Sequence, residues 1–483
     1  MKNKQDATQS VRKGFMWDLA GSLIKQLTSV LISIILARLL GPKDFGLIGM
    51  ALVFISLSDV FVDVGFTSAI IQAKEMGSKV LSSIFFMNLG ISIVFTLLTF
   101  LCAPLISDFF GNPELTMILR YLILIIPIYA LGRVQAATLM KSMNFKSLAL
   151  RDIFATLTSG LIGVVLAFNG YGVKSLVIQQ FFFATISTAL LWKQSIWRPK
   201  FEFAWIEIKE LMSFSSFVFF DELLQQFFKK IDTLFVGKVF SPTILGFYSR
   251  AESFNSLINN YSTSSLNKVI YPLLSSIQHN KEKFADTLSK SISLAVFATT
   301  GLVGFLFFTA DFLIILLLGP KWALSVVLFK ILIFNTVTLS INSILNKAIL
   351  SKGYSKLKFK VLFVTRILYL FSMPFGYYYG VEAFAIAFVA IRFITISINW
   401  IYFKDKLEVN LINILKTIMF PLGIMLFWVG VYYSGLLIMP NYVYLILFLL
   451  SYFIILYIVK NSGLLFTLNE IQKLQKKLQK TKK

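Results

Sequence analysis

The sequence predicts an all-α polytopic membrane protein of about fourteen transmembrane helices, built as two six-helix lobes in a parallel repeat plus two extra C-terminal helices. Composition, the spacing of apolar segments and an internal match between the two halves predict it. Of 483 residues, 57% are hydrophobic and 14% charged, with a mean hydropathy of +0.78. A soluble globular surface needs roughly a quarter of its residues charged, so this chain belongs in a bilayer. At roughly 20 residues per crossing, fourteen spans with short connections use nearly all of it.

Residues 1–13, with Lys2, Lys4, Arg12 and Lys13, are expected to form a cytoplasmic N-terminus. The apolar run at 19–40 is longer than a signal-peptide core and has no small-residue cleavage site, so it reads as a retained first span. Apolar segments bounded by Gly, Pro or charge then mark an N-lobe over 14–192, with spans at 14–40, 45–71, 80–107, 115–140, 153–168 and 173–192. A polar, amphipathic cytoplasmic connector covers 193–210, and a C-lobe over 211–403 holds spans at 211–236, 244–277, 288–308, 322–350, 361–378 and 381–403. The extra pair lies at 417–437 and 442–459.

The tail at 464–483 reads as a basic amphipathic cytoplasmic helix. Thr467 and Glu470 have capping-box spacing, and Leu468, Ile471, Leu474 and Leu478 share one face among Lys473, Lys476, Lys477 and Lys480. Such a helix suits the anionic inner leaflet.

Sidedness follows from the basic residues, which favour cytoplasmic connections. One set of connections carries Lys74, Lys79, Lys141, Lys146, Arg151, Lys193, Arg198 and Lys200, and further on Lys281, Lys283, Lys352 to Lys360, Lys404 and Lys406. The alternate set carries only Arg38, Lys43, Lys174, Lys238 and Lys321, which places both termini in the cytoplasm. Much of the net charge of +23 is therefore topological, and no nucleic acid partner is implied.

The repeat appears when 34–57 is set over 234–257: Pro42, Gly46, Ala51, Phe54, Ser56 and Leu57 meet Pro242, Gly246, Ala251, Phe254, Ser256 and Leu257, and Arg38 meets Lys238. Gly111 and Gly319 end spans in similar turns, and Arg120 with Lys330 and Lys146 with Lys356 bracket the fourth and tenth spans. Six spans separate the copies, so both enter the membrane in the same direction and are related by an axis along its normal. Repeats of this kind suit transport by alternating access.

Apart from Arg38, Lys174 and Lys290, which sit at span ends and count with the connections, eleven basic residues fall inside these spans: Lys25, Arg120, Arg133, Lys229, Lys230, Arg250, Lys268, Lys330, Lys347, Arg366 and Arg392. At roughly 3 kcal/mol each, facing lipid would cost about 30 kcal/mol, several times a typical folding stability. Arg120, Arg133, Lys330 and Arg366 lie near span ends and are expected to snorkel to the interface. Lys25, Arg250 and Lys268 lie deeper, in the first and eighth spans, and are expected to line a hydrated cavity. Asp59, Asp63, Glu222 and Asp232 are candidate ion-coupling residues, although Asp59 and Asp63, one turn apart, also suit pairing with a buried cation. Tyr248, Tyr261 and Trp322 are candidates for stacking on sugar, with the membrane interface as the default position of Trp322.

Cationic lining wants an anion, and a membrane cavity suits an amphiphile with a phosphate head, which an Arg fork grips with two hydrogen bonds. Cys102 and His279 are single, so neither a metal site nor another cofactor is expected, and no nucleotide-binding loop is present. Nothing marks a catalytic residue. Transport would draw on an ion gradient, membrane potential or product removal.

The stretch Arg-Leu-Leu-Gly-Pro-Lys-Asp-Phe-Gly at 38–46, followed by Asp-Val-Phe-Val-Asp-Val-Gly at 59–65 and Gln72, resembles the polysaccharide transport branch of the multidrug/oligosaccharidyl-lipid/polysaccharide exporter superfamily, the Wzx-type flippases. The resemblance implies fourteen spans, a cationic central cavity and movement of undecaprenyl-diphosphate-linked oligosaccharide from the cytoplasmic to the outer leaflet of the bacterial cytoplasmic membrane. It implies membrane lipids as partners, and polysaccharide polymerase or export proteins as further candidates. Related peptidoglycan-precursor flippases hold cations on their first and eighth spans, which would make Lys25, Arg250 and Lys268 the diphosphate contacts. Those relatives also carry a basic residue on the second span, where this chain has Asp59 and Asp63. The alternatives are a drug or cation exporter of the same superfamily, which favours an acidic cavity, and an integral-membrane glycosyltransferase or polymerase, which needs a larger outer loop.

Overall fold

The computed structural model describes the backbone at 2–73, 75–407, 411–437, 439–459, 461 and 463–465, and side chains there except at 2–15, 18, 210, 212–218, 260–269 and 411–417. The expected amphipathic helix of the tail lies outside the described residues from 466 onward. All regular structure in the described residues is helical: α1 (Lys2–Leu39), α2 (Pro42–Asp63), α3 (Phe66–Gln72), α4 (Ser78–Phe110), α5 (Glu114–Ile123), α6 (Ile125–Lys141), α7 (Phe145–Phe168), α8 (Val173–Gln194) and α9 (Trp205–Val239). Then follow α10 (Pro242–Ser276), α11 (Lys281–Leu318), α12 (Ala323–Leu332), α13 (Asn335–Ser351), α14 (Ser355–Leu368), α15 (Met373–Tyr379), α16 (Val381–Leu407), α17 (Leu411–Ser434) and α18 (Asn441–Ile458).

Eleven helical stretches among the described residues are long and apolar enough to cross a membrane, some being two helices in line. This is a polytopic membrane protein. Three further helices, α9, α10 and α17, lie where the other expected spans were drawn. The first two are more polar, with Asp221, Glu222, Lys229, Lys230 and Asp232 on α9 and Arg250, Glu252 and Lys268 on α10.

Turn chemistry sets several ends. Pro42 fits the first position of α2, where a missing N–H costs nothing, and Asp44 accepts a hydrogen bond from the Gly41 amide at 2.9 Å. The expected second span does not run unbroken to residue 71. The chain turns left-handed at Val64 (φ 46°) and Gly65 (φ 79°), ending α2 and starting α3. At the end of α4 the amide of Asn112 donates to the Ser107 carbonyl and that of Gly111 to Asp108, closing the helix with a left-handed glycine.

The repeat is visible in how helices break. The fourth span divides at Leu124 into α5 and α6, of 10 and 17 residues, and the tenth divides into α12 and α13, also of 10 and 17 residues. The matched glycines have a reciprocal role. A Cβ on Gly46 would lie 1.7 Å from the Pro242 carbonyl oxygen, and one on Gly246 would lie 1.8 Å from that of Pro42. The first turns of α2 and α10 thus cross backbone on backbone, which only glycine permits.

The described residues form two compact units, Met1–Ser249 and Arg250–Lys483. In the first, Phe66 and Ile70 of α3, Ile84 and Phe85 of α4, Val134 and Ala137 of α6 and Ile208 of α9 form one core. The segment between α8 and α9 is strapped to α4: the amides of Lys200 and Ala204 donate to Ser82 and Ser83 at 3.0 and 2.7 Å, and the Trp197 indole to Ser78 at 3.2 Å.

In the second unit α17 and α18 dock on α11. Phe308 stacks on Tyr444, Tyr452 donates to the Phe297 carbonyl at 2.7 Å, and Gly304 leaves room for the Phe448 ring. Lys330 is buried there, its ammonium 2.6 Å from Asp311, 3.0 Å from the Tyr432 hydroxyl and over the rings of Phe307 and Tyr432. It does not snorkel, because Asp311 supplies a counter-charge one helix away.

Candidate functional site

Within the first unit, helices α1, α2, α6, α7, α8 and α9 line an open cavity of about 560 Å³. Its charged lining is Lys25, Arg133, Arg151 and Lys230 against Asp59 and Asp152. With Asp63, which faces Arg133 from beside the lining, four cations meet three carboxylates, a surplus of one positive charge. Gln180, Gln226 and Tyr129 add neutral hydrogen-bonding groups.

Small residues place Lys25. A Cβ on Gly21 would lie 2.3 Å from the Ala149 side chain and one on Gly160 would lie 2.0 Å from Ile32, so α1 and α7 run side by side in parallel at close range. Lys25, between these contacts on α1, meets Asp152, between them on α7: its ammonium lies 2.7 Å from one carboxylate oxygen. Arg151 donates its Nε to the other oxygen at 2.8 Å. The Lys25 side chain is 40% exposed, so this pair is wet.

On the opposite wall Arg133 of α6 reaches α2. It pairs with Asp59 and stands 3.4 Å from Asp63, which also accepts from the Thr67 hydroxyl. Arg133, expected at the interface, is instead held inward because two carboxylates one turn apart face it.

The residues singled out from the sequence separate as follows. Lys25 and Asp59 line the cavity, and Asp63 joins them through Arg133. Glu222 and Asp232 lie on α9 outside the lining, with Asp232 accepting from the Tyr248 hydroxyl at 2.8 Å. Arg250 is half-buried on α10 in the second unit, and the side chains of Lys268 and Tyr261 lie outside the described residues. Tyr248 and Trp322 are fully buried, so neither offers a face to a sugar or to the interface.

Sequence reasoning missed Asp152 as a site residue and left Arg151 in a cytoplasmic connection, because the fifth span was drawn from residue 153. The usable signal was Asn144. Its side chain caps α7 by accepting from the Ser147 amide at 3.3 Å, which puts 151 and 152 two turns inside the helix.

The profile of the polysaccharide biosynthesis protein family matches residues 35–327. The chain belongs to this family. Among its relatives, the succinoglycan biosynthesis transport protein ExoT of Rhizobium meliloti is 27% identical over 289 residues, covering 60% of this chain and 58% of that protein. The lipopolysaccharide biosynthesis protein WzxC of Escherichia coli is 22% identical over 350 residues, 72% of this chain and 71% of its own. The match to the first of these thus spans under two thirds of that relative's length. Among solved structures, the lipid II flippase MurJ in an inward closed conformation superposes with a TM-score of 0.72 at 15% identity, covering 95% of this chain and 99% of that one. An inward-facing multidrug resistance MATE transporter gives 0.64 at 14% identity, covering 81% and 98%. The fold of this family member is therefore that of the exporter superfamily expected from residues 38–65.

Proposed function

We propose that this polysaccharide biosynthesis protein is a flippase. It moves an oligosaccharide linked to undecaprenyl diphosphate from the cytoplasmic to the outer leaflet of the bacterial cytoplasmic membrane, by alternating access and with both termini in the cytoplasm. The observation that carries the reading is the cavity among these membrane helices in which Lys25 and Arg151 share the single carboxylate of Asp152. Two cations sharing one carboxylate in a solvated cavity favour a further anion, and a diphosphate supplies two or more charges with many acceptor oxygens. The names of the relatives, a succinoglycan transport protein and a lipopolysaccharide biosynthesis protein, support a saccharide cargo. The cation surplus counts against a drug or cation exporter.

Lys25 holds the diphosphate in this proposal, and Arg250 and Lys268 are carried from the sequence as anion contacts of the second unit. Ion coupling at Asp59 or Asp63 would require Arg133 to release them, whereas Glu222 on α9 lies within electrostatic reach of that group and Asp232 is held by the Tyr248 hydroxyl. Polymerase or export proteins that receive the flipped product are the proposed downstream partners.

The test is Lys25→Ala and Arg250→Ala together in a strain lacking its own copy. The expected result is loss of surface polysaccharide at unchanged protein abundance. Normal output from the double variant overturns the site assignment.

A further inference from the structure

We propose that Asp152 is a built-in stand-in for the substrate's phosphate: it holds Lys25 and Arg151 while the site is empty and gives them up to an incoming diphosphate. The inference rests on the flippase reading above and names the residue that controls access to its site.

Two cavities carry the argument. Besides the one of about 560 Å³, a second of about 520 Å³ lies along α1 and α7, lined by Gly21, Ser22, Gln26 and Ala149 and by Met140 and Phe145 at the turn between α6 and α7. Three side chains line both: Lys25, Arg151 and Asp152. The triad is therefore the partition between the two spaces. The second cavity is the one beside the α6–α7 connection, which the basic residues Lys141 and Lys146 assign to the cytoplasm.

Geometry shows why this partition answers to an anion. One carboxylate serves two cations, with one oxygen 2.7 Å from the Lys25 ammonium and the other accepting from Arg151 at 2.8 Å. Two oxygens bridging two cations is the arrangement a phosphate group also presents, with more oxygens and more charge to offer. The cations outnumber the carboxylate, so the triad is under-neutralised. By contrast Arg133 faces two carboxylates and is fully matched. Exposure decides exchangeability. The Lys25 and Asp152 side chains are 40% and 20% exposed, and a solvated ion pair is weak. In the second unit the Lys330 side chain is only 6% exposed beside Asp311, so that cation has no open face for an incoming anion.

A diphosphate entering from the second cavity takes over Lys25 and Arg151, and Asp152, displaced, no longer ties α1 to α7. A lipid without charge has nothing to exchange and leaves the partition closed.

The full-length protein in nanodiscs is titrated with undecaprenyl diphosphate, with undecaprenol as the uncharged control. Asp152→Asn removes the competitor, so it should bind the diphosphate about fivefold more tightly than the native chain, whereas a merely structural Asp152 would weaken binding when removed. Binding that is unchanged or weaker, in a variant whose thermal unfolding matches the native chain, overturns the proposal. A second measurement needs no variant. Carbodiimide joins a lysine to a carboxylate in direct contact, so the native chain should yield a Lys25–Asp152 cross-link by mass spectrometry, reduced several-fold by undecaprenyl diphosphate and unaffected by undecaprenol. If Asp152→Asn does not fold, this yield alone decides: a fall supports the stand-in and an unchanged yield with the diphosphate bound overturns it. Failure of the native chain to bind the diphosphate overturns both the stand-in and the flippase reading.

Discussion

Adding one methyl group at the crossing of α2 and α10 tests the repeat and the packing together. In Gly46→Ala the new Cβ would lie 1.7 Å from the Pro242 carbonyl oxygen, whereas real Cβ atoms essentially never approach closer than 3.0 Å, so the two backbones must part by about 1.3 Å. The obstacle is a carbonyl fixed by its planar peptide, not a side chain that can rotate away. Overpacking of this kind costs typically 1–3 kcal/mol, and a backbone obstacle puts the expected loss at about 3 kcal/mol. With an unfolding entropy of about 2.1 cal/mol/K per residue, that lowers the unfolding midpoint by roughly 3–6 °C, the larger value applying if only the first unit melts. Gly246→Ala meets the Pro42 carbonyl at 1.8 Å and should cost the same. Because either change opens the same crossing, the double variant should lose clearly less than the sum of the two. Gly90→Ala is the control: nothing lies within 4 Å of its added Cβ, and alanine should stabilise α4 by about 1 kcal/mol. The assay is thermal unfolding of the purified protein in nanodiscs, followed by tryptophan fluorescence. If Gly46→Ala and Gly90→Ala unfold alike, or the two crossing variants add fully, the reasoning is refuted.

Other predictions rest on the ion pairs and the strap. Asp311→Asn leaves Lys330 buried without its carboxylate and should lose about 3 kcal/mol or more, while Lys330→Met together with Asp311→Asn should recover most of it, read by the same unfolding assay. Arg133→Met strands Asp59 and Asp63 and should lower protein abundance; adding Asp59→Asn and Asp63→Asn should restore abundance. Surface polysaccharide returning in that triple variant would show that Arg133, Asp59 and Asp63 act only as a structural unit, whereas a restored protein without transport would show that transport needs at least one of the three charges. Ser82→Ala with Ser83→Ala removes two acceptors of the segment between α8 and α9, worth about 2 kcal/mol together, and tryptic cleavage at Arg198 and Lys200 should accelerate by roughly 30-fold. An unchanged cleavage rate would show that the strap is held by something else.

What the chain determined by itself is what depends on local composition. Runs of about twenty apolar residues specify helices in a bilayer, whose interior leaves no other use for backbone polar groups, and Lys and Arg in alternate connections set the orientation expected of them. The recurrence of Pro42 and Gly46 as Pro242 and Gly246 specified the repeat, and the matching breaks of α5–α6 and α12–α13 express it. The same reading marked Lys25 as a cation too deep to ignore. The tertiary structure alone decided how each charge is neutralised. Asp152 is 127 residues from Lys25, Asp59 is 74 from Arg133, and Asp311 sits on a different helix from Lys330. Hydropathy reports the cost of burying each of these groups singly, but the compensation is a distance between helices, and no one-dimensional pattern contains it. That is why Arg133 and Lys330 read as interfacial and turned out to be paired, and why the carboxylate that faces Lys25 became visible only when α1 and α7 were seen side by side.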